Sequence, residues 1–120
     1  MKWLLPFGCI MAALLAANTW AGEQAPKGDA RNGQAIYARN CVRCHGAALD
    51  GHGPDAANLV RPPANFLDKR SREKTDFELT IAIKQGQLYT DMHRWDDTLS
   101  DALIRDVVAY IRATAPHIID

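Results

Sequence analysis

Cys41-Val42-Arg43-Cys44-His45 constrains this 120-residue chain more than any other stretch of it. Two thiols separated by two residues, with an imidazole directly after the second, form the pattern through which a haem is attached by two thioether bonds. The histidine then lies beneath the porphyrin with a ring nitrogen facing the iron. On this reading the chemistry belongs to the cofactor, and the polypeptide holds, tunes and presents it. The surrounding chain must therefore fold around a large, flat, apolar group.

The N-terminus predicts export. Lys2 is the only charge before Glu23, and Trp3 to Ala17 is apolar apart from Pro6 and Gly8. Thr19 and Ala21 then place small residues two apart, so residues 1–21 read as a signal peptide cleaved after Ala21. Its apolar part is shorter than the roughly 20 residues needed to span a bilayer, which disfavours a retained anchor. Cys9 would leave with the signal. Residues 22–120 form one domain, in which a buried cofactor supplements a small core. The chain has 14 Lys and Arg and 14 Asp and Glu; without Lys2, 13 basic groups face 14 acidic ones. Such a balance argues against nucleic acid as a partner.

Helical punctuation is clear and no alternating strand appears, so the expected class is all-α. Asp29 caps a helix running towards Cys41. Ala47 to Pro63 is rich in Gly, Pro and Asp, with at most one helical turn at Ala56 to Leu59; a loop this long in a small domain is expected to wrap something. Thr75 and Glu78 form a capping box for a helix that stops near Gly86. Leu88 to Thr98 reads as loop. Ser100 caps the last helix, where Leu103, Val107 and Ile111 recur every four residues until Pro116. Phe66, Ile81, Leu88, Leu99 and Val107 are core candidates.

A low-spin haem iron takes a ligand on each face. His45 supplies one. Outside the signal, Met92 is the only methionine, 47 residues beyond His45 in a loop before the final helix. The alternatives are His93 as sixth ligand, with Met92 serving only as a gap-filling thioether in the core. A structural zinc site would need a second pair of ligands, and a thioredoxin-like redox pair a βαβ setting. His52 and His117 read as surface histidines. Trp95, Arg61 and Arg94 are candidates to meet a propionate, and Asp68 to Lys74 reads as a solvated charged face.

Taken in order, these pieces resemble the class I (mono-haem) cytochromes c of bacterial periplasms. Gly33-Gln34-Ala35-Ile36-Tyr37 precedes Cys41 to Gly46; Gly51-His52-Gly53-Pro54 and Pro62-Pro63-Ala64-Asn65-Phe66 follow; then come Gly86 with Met92, and Leu99-Ser100-Asp101 through Arg112. The resemblance implies a small cytochrome c-like fold, three to five helices around one covalent haem c. It implies that the first and last helices cross closely at Gly33, with Tyr37 meeting Tyr110, and that Pro54 offers its carbonyl to His45. The function implied is periplasmic one-electron transfer between redox partner proteins, with Cys41 and Cys44 as covalent sites, His45 and Met92 as axial ligands, no catalytic residues and only transient membrane contact through partners. His93 stands where the family has proline. That departure keeps a second reading open: a gas-binding haem sensor, or a haem-bearing accessory subunit of a larger oxidoreductase.

Overall fold

The structure, a computed structural model, describes residues 27–118. The expected signal segment 1–21, its cleavage point and most of the polar arm after it lie outside the described residues. Among the described residues five α-helices follow one another: α1 (Ala30–Asn40), α2 (Val42–His45), α3 (Lys69–Arg72), α4 (Asp76–Gln85) and α5 (Asp101–Thr114), with one 3-10 turn at Ala56–Asn58. No strand occurs among the described residues, and none of their helices is long and apolar enough to cross a membrane.

The three longer helices begin where side-chain oxygens satisfy their first free N–H groups. The Asp29 carboxylate accepts from the N–H of Arg31 at 2.8 Å and of Asn32 at 3.3 Å. At α4 the Glu78 N–H donates to Thr75 Oγ1 at 3.2 Å, and the Thr75 N–H donates back to Glu78 Oε2 at 2.7 Å, closing the capping box. This reciprocal bond holds the Glu78 carboxyl below its ordinary range. Ser100 caps α5 through the Leu103 N–H. That helix buries Ile104, Val107, Val108 and Ile111, one apolar stripe at helical spacing.

α1 packs chiefly on α5. At Gly33 the two backbones approach so closely that any Cβ would overlap the Asp106 carbonyl. Asp106 also reaches across to the start of α1, accepting from the Asp29 N–H at 2.7 Å and from Asn32 Nδ2 at 2.6 Å. Tyr37 and Tyr110 meet at the crossing, their ring centroids 5.3 Å apart and tilted by 59°. The close crossing and the tyrosine pair both match expectation. α4 leans on α5 through buried Leu79 and two ion pairs, Lys84 to Asp101 and Arg112 to Asp76, each at 2.7 Å.

One expectation needs correction. Leu88 is not core: it is 86% exposed, whereas Leu99 and Val107 are buried and Phe66 is half-buried against the core. The charged run Asp68 to Lys74 is largely exposed, as expected of a solvated face, and it folds into α3, capped by Asp68, with Ser71 buried. The C-terminal tail lies against it: the Ile118 N–H donates to the Arg72 carbonyl at 3.1 Å, and Arg72 Nε donates to the Pro116 carbonyl at 3.0 Å.

Gly33→Ala tests the crossing. A methyl group there must push α1 off α5, an overpacking cost of about 3 kcal/mol. The thermal midpoint should fall by roughly 12 °C or more for a domain of this size. A midpoint within a degree of wild type would mean that the helices do not meet at Gly33.

Candidate haem site

α2 is a single turn and cannot sustain itself by its own hydrogen bonds. Its four carbonyls are each met by an N–H from the chain that follows. Gly46 donates to Val42 at 2.9 Å, Asp55 to Arg43 at 2.9 Å, Gly53 to Cys44 at 3.1 Å and Gly51 to His45 at 2.9 Å. Gly53 passes so close that a Cβ would overlap the Arg43 carbonyl. The Arg43 guanidinium and the Asp55 carboxylate add a two-pronged bond outside, at 2.7 and 3.0 Å. The Gly/Pro loop is therefore a clasp on the C-x-x-C-H turn.

Within that clasp Cys41 and Cys44 are half-buried and not bonded to each other. Burial first, then the neighbouring Cys44, pushes the Cys41 thiol up to about 12. Reactive C-x-x-C pairs have thiols shifted the other way. With no strand around it, the thioredoxin-like alternative loses its setting. Among the described residues no three His, Cys, Asp or Glu side chains gather to hold a metal ion, so a four-ligand zinc site has no donors here.

The His45 ring is half-buried, and its Nδ1 lies 3.2 Å from the Ala64 carbonyl oxygen. Burial pulls its pKa below the ordinary value, opposed in part by that hydrogen bond. A carbonyl oxygen only accepts, so Nδ1 carries the proton of that bond; burial favours the neutral ring, in which Nε2 holds the lone pair. Pro54 had been expected to provide this carbonyl. Ala64 takes its place because the 53–55 segment is turned towards the α2 backbone. Phe66, expected only as core, stacks on the imidazole at 5.0 Å and 26°.

Met92 is half-buried on a separate segment beyond α4. Its carbonyl accepts from the Gln87 N–H at 2.8 Å, and its own N–H donates to Thr90 Oγ1 at 3.1 Å. The next loop over is tied to it by the Val60 N–H, which donates to Asp91 Oδ2 at 2.7 Å. His93 is exposed and turned to Trp95, ring centroids 4.3 Å apart, with Nδ1 2.7 Å from the Arg94 carbonyl. Arg94 is engaged by Asp96 through two bonds at 2.7 and 2.8 Å, while Arg61, His52 and His117 are exposed. Sequence reasoning missed Ala64, Asp91 and the stacking role of Phe66. The Pro62 to Phe66 motif was the one available signal for two of them.

Two unbonded thiols one turn apart, beside an imidazole anchored at Nδ1, suit a c-type haem. Fold and donor set together define a c-type cytochrome. The chain belongs to the family described as cytochrome c oxidase, cbb3-type, subunit III, whose model matches residues 28–111. No curated protein matches it as a relative. Among solved structures it is similar to a chain of the Kuenenia stuttgartiensis reducing HAO-like protein complex Kustc0457/Kustc0458, with TM-score 0.65 and 24% identity. That match covers 76% of this chain and 44% of the other, so this chain spans less than half of that relative's length. The KustC0563 c-type cytochrome gives TM-score 0.57 at 22% identity, over 68% of this chain and 95% of that one. Cytochrome c6 of the diatom Phaeodactylum tricornutum gives 0.55 at 26% identity, over 73% and 95%. At these identities the first two establish the fold, which is that of small c-type cytochromes. By family and by fold the chain is a c-type cytochrome.

The Tyr37 hydroxyl donates to the Gly46 carbonyl at 2.9 Å, fastening α1 to the residue after His45. Tyr37→Phe keeps the ring contact with Tyr110 and strands that carbonyl, at a cost of about 1–3 kcal/mol. The thermal midpoint should drop by at least roughly 4 °C. Tyr110→Phe should leave the Gly46 bond in place and move the midpoint less. Equal effects would remove the Gly46 bond from the account.

Proposed function

We propose that the protein is a periplasmic one-electron carrier. In this reading residues 1–21 direct export and are removed, and residues 22–120 hold one haem c through thioether bonds to Cys41 and Cys44. His45 and Met92 are its axial ligands. The observation that carries the reading is the anchoring of His45 Nδ1 by the Ala64 carbonyl beside the two unbonded thiols, which leaves Nε2 as the nitrogen available to iron.

A haem bound there supplies a one-electron couple between ferric and ferrous iron. The chain's own part is to hold both axial donors still. Donation from Nδ1–H to the Ala64 carbonyl raises the basicity of His45 and limits how far the ring can turn. On the other side, Gln87, Thr90 and Asp91 tie the Met92 loop at three points, which limits reorganisation and opposes opening of the strap. Thioether ligation favours the ferrous state and raises the potential relative to two imidazoles. His93, exposed and packed on Trp95, is the weaker claimant to the iron.

The same loops favour one further reading, that of a haem-bearing subunit docked on a larger protein. Val60, Leu88 and Tyr89 are all strongly exposed apolar groups around the Val60–Asp91 bond. Copurification of the chain from its native source with a second redox protein is the corresponding observation.

Intact-mass analysis of exported protein should show one haem added to residues 22–120. The oxidised protein should show the weak far-red band of sulfur-to-ferric-iron charge transfer. Met92→Ala should abolish that band, lower the reduction potential and allow the ferrous protein to bind carbon monoxide, while His93→Ala should leave all three unchanged. A far-red band that survives Met92→Ala, or a bare polypeptide mass, would sink the assignment.

A further inference from the structure

We infer that Phe66 is a positioning residue for His45: its ring, stacked on the imidazole, sets the plane in which that imidazole faces the iron. The inference rests on His45 being an axial ligand, as proposed above. Two restraints act on the imidazole. The bond from Nδ1–H to the Ala64 carbonyl fixes one atom. A carbonyl oxygen accepts over a broad range of directions, so the ring can rock through part of that range about its iron-facing axis without losing the bond. That bond therefore leaves part of the ring's rotation to a second restraint.

The plane is set by Phe66. Its centroid lies 5.0 Å from that of His45 with only 26° between the rings, an offset stack of the kind aromatic pairs prefer. Turning the imidazole about its iron-facing axis drives a ring edge into the phenyl face. The phenyl group cannot easily yield, because Phe66 packs against the core and its N–H donates to the Leu49 carbonyl at 2.8 Å. Leu49 is itself 1% exposed and holds a left-handed backbone, φ 61°, which a branched residue adopts only under constraint. That strained residue delivers the carbonyl that holds Phe66. Asn65 turns the chain between the two restraints, its Oδ1 accepting from the Leu67 N–H at 2.8 Å. Three consecutive residues, Ala64 to Phe66, thus fix the imidazole's anchor and its plane.

The plane matters because an axial imidazole overlaps unequally with the iron orbitals that share its π symmetry. Its direction sets their splitting, hence the g anisotropy of the ferric state and the spread of the haem methyl proton resonances. A ring free to rock also weakens its bond to Ala64, making the ligand less basic and the ferric state less favoured.

The test compares ferric holoprotein of the wild type with Phe66→Leu, Phe66→Met and Phe66→Tyr. Electron paramagnetic resonance, proton resonance of the haem methyls and potentiometry give the readouts, with circular dichroism to verify folding. Leu and Met remove the flat face: the g features should shift or broaden, the methyl spacing should change and the potential should rise. Phe66→Tyr keeps the stack and should retain wild-type values. Where Phe66→Leu fails to fold, Phe66→Met supplies the comparison. Folded Leu or Met variants with wild-type spectra and potential would overturn the inference, as would a Tyr variant shifted as far as Leu. A His45→Ala holoprotein with an unaltered spectrum would overturn the axial assignment along with it, a result distinct from either.

Discussion

The four carbonyls of α2 end against N–H groups of the loop that follows, and the site's geometry descends from that clasp. A four-residue helix carries the cost of nucleation with almost none of the gain of propagation. Here the missing hydrogen bonds come from Gly46, Gly51, Gly53 and Asp55. To deliver them the loop must turn sharply twice, with Gly46 and Gly51 both at φ 80°, and must run backbone against backbone at Gly53. Once so bent it buries Leu49 and returns Ala64 and Phe66 to the imidazole. The Arg43–Asp55 bond on the outer face adds little by comparison, since it is open to solvent and screened.

What the sequence made legible is short-ranged. Asp29, Thr75 with Glu78, and Ser100 announce their helices because a capping oxygen satisfies N–H groups only two or three residues away. The close approach at Gly33 followed from the family resemblance, and its physical ground is that backbone contact between helices excludes a side chain whatever its chemistry. α3 escaped notice for the opposite reason. Lys69-Arg70-Ser71-Arg72 has no apolar stripe, and its order is tied to Pro116 and Ile118, more than forty residues further on. The partner of His45 was misplaced for a related cause. Every residue owns a carbonyl, so composition cannot choose between Pro54 and Ala64; the choice lies in the path of the loop between them. Phe66 was legible as apolar, whereas its stacking on an imidazole 21 positions earlier is a property of the fold.

The two faces of the proposed site are built differently. Around His45 the restraint is continuous: a capped turn, an anchored Nδ1 and a stacked ring. Around Met92 it is a closed loop. The Gln87 N–H reaches forward to the Met92 carbonyl, Thr90 bridges the interior, and Gly86 takes a positive φ where a side chain would strike the Met92 carbonyl. Asp91 then fastens this loop to Val60, so the segment leaving the haem-binding turn and the segment carrying the methionine share a bond. The substitution of His93 for proline removes a stiffener from the chain, and these bonds replace it by other means.

That replacement bears on the kind of chemistry the fold can support. A sensor needs one axial donor to leave at small cost, and a loop held at one end would serve. This loop is held at its start, its middle and across to its neighbour, while His93 is drawn away towards Trp95. Leu88 and Tyr89 project outward from the same loop, Tyr89 at φ 59°, so the strained geometry presents apolar side chains to solvent rather than opening a path inward. Swinging the loop away would break the Val60–Asp91 bond, while the bonds among Gln87, Thr90 and Met92 keep the loop's own shape. Under the proposed His45 and Met92 ligation, a strap so tied would keep its donor in place through both oxidation states and leave the surface beside it for a partner, as an electron carrier requires.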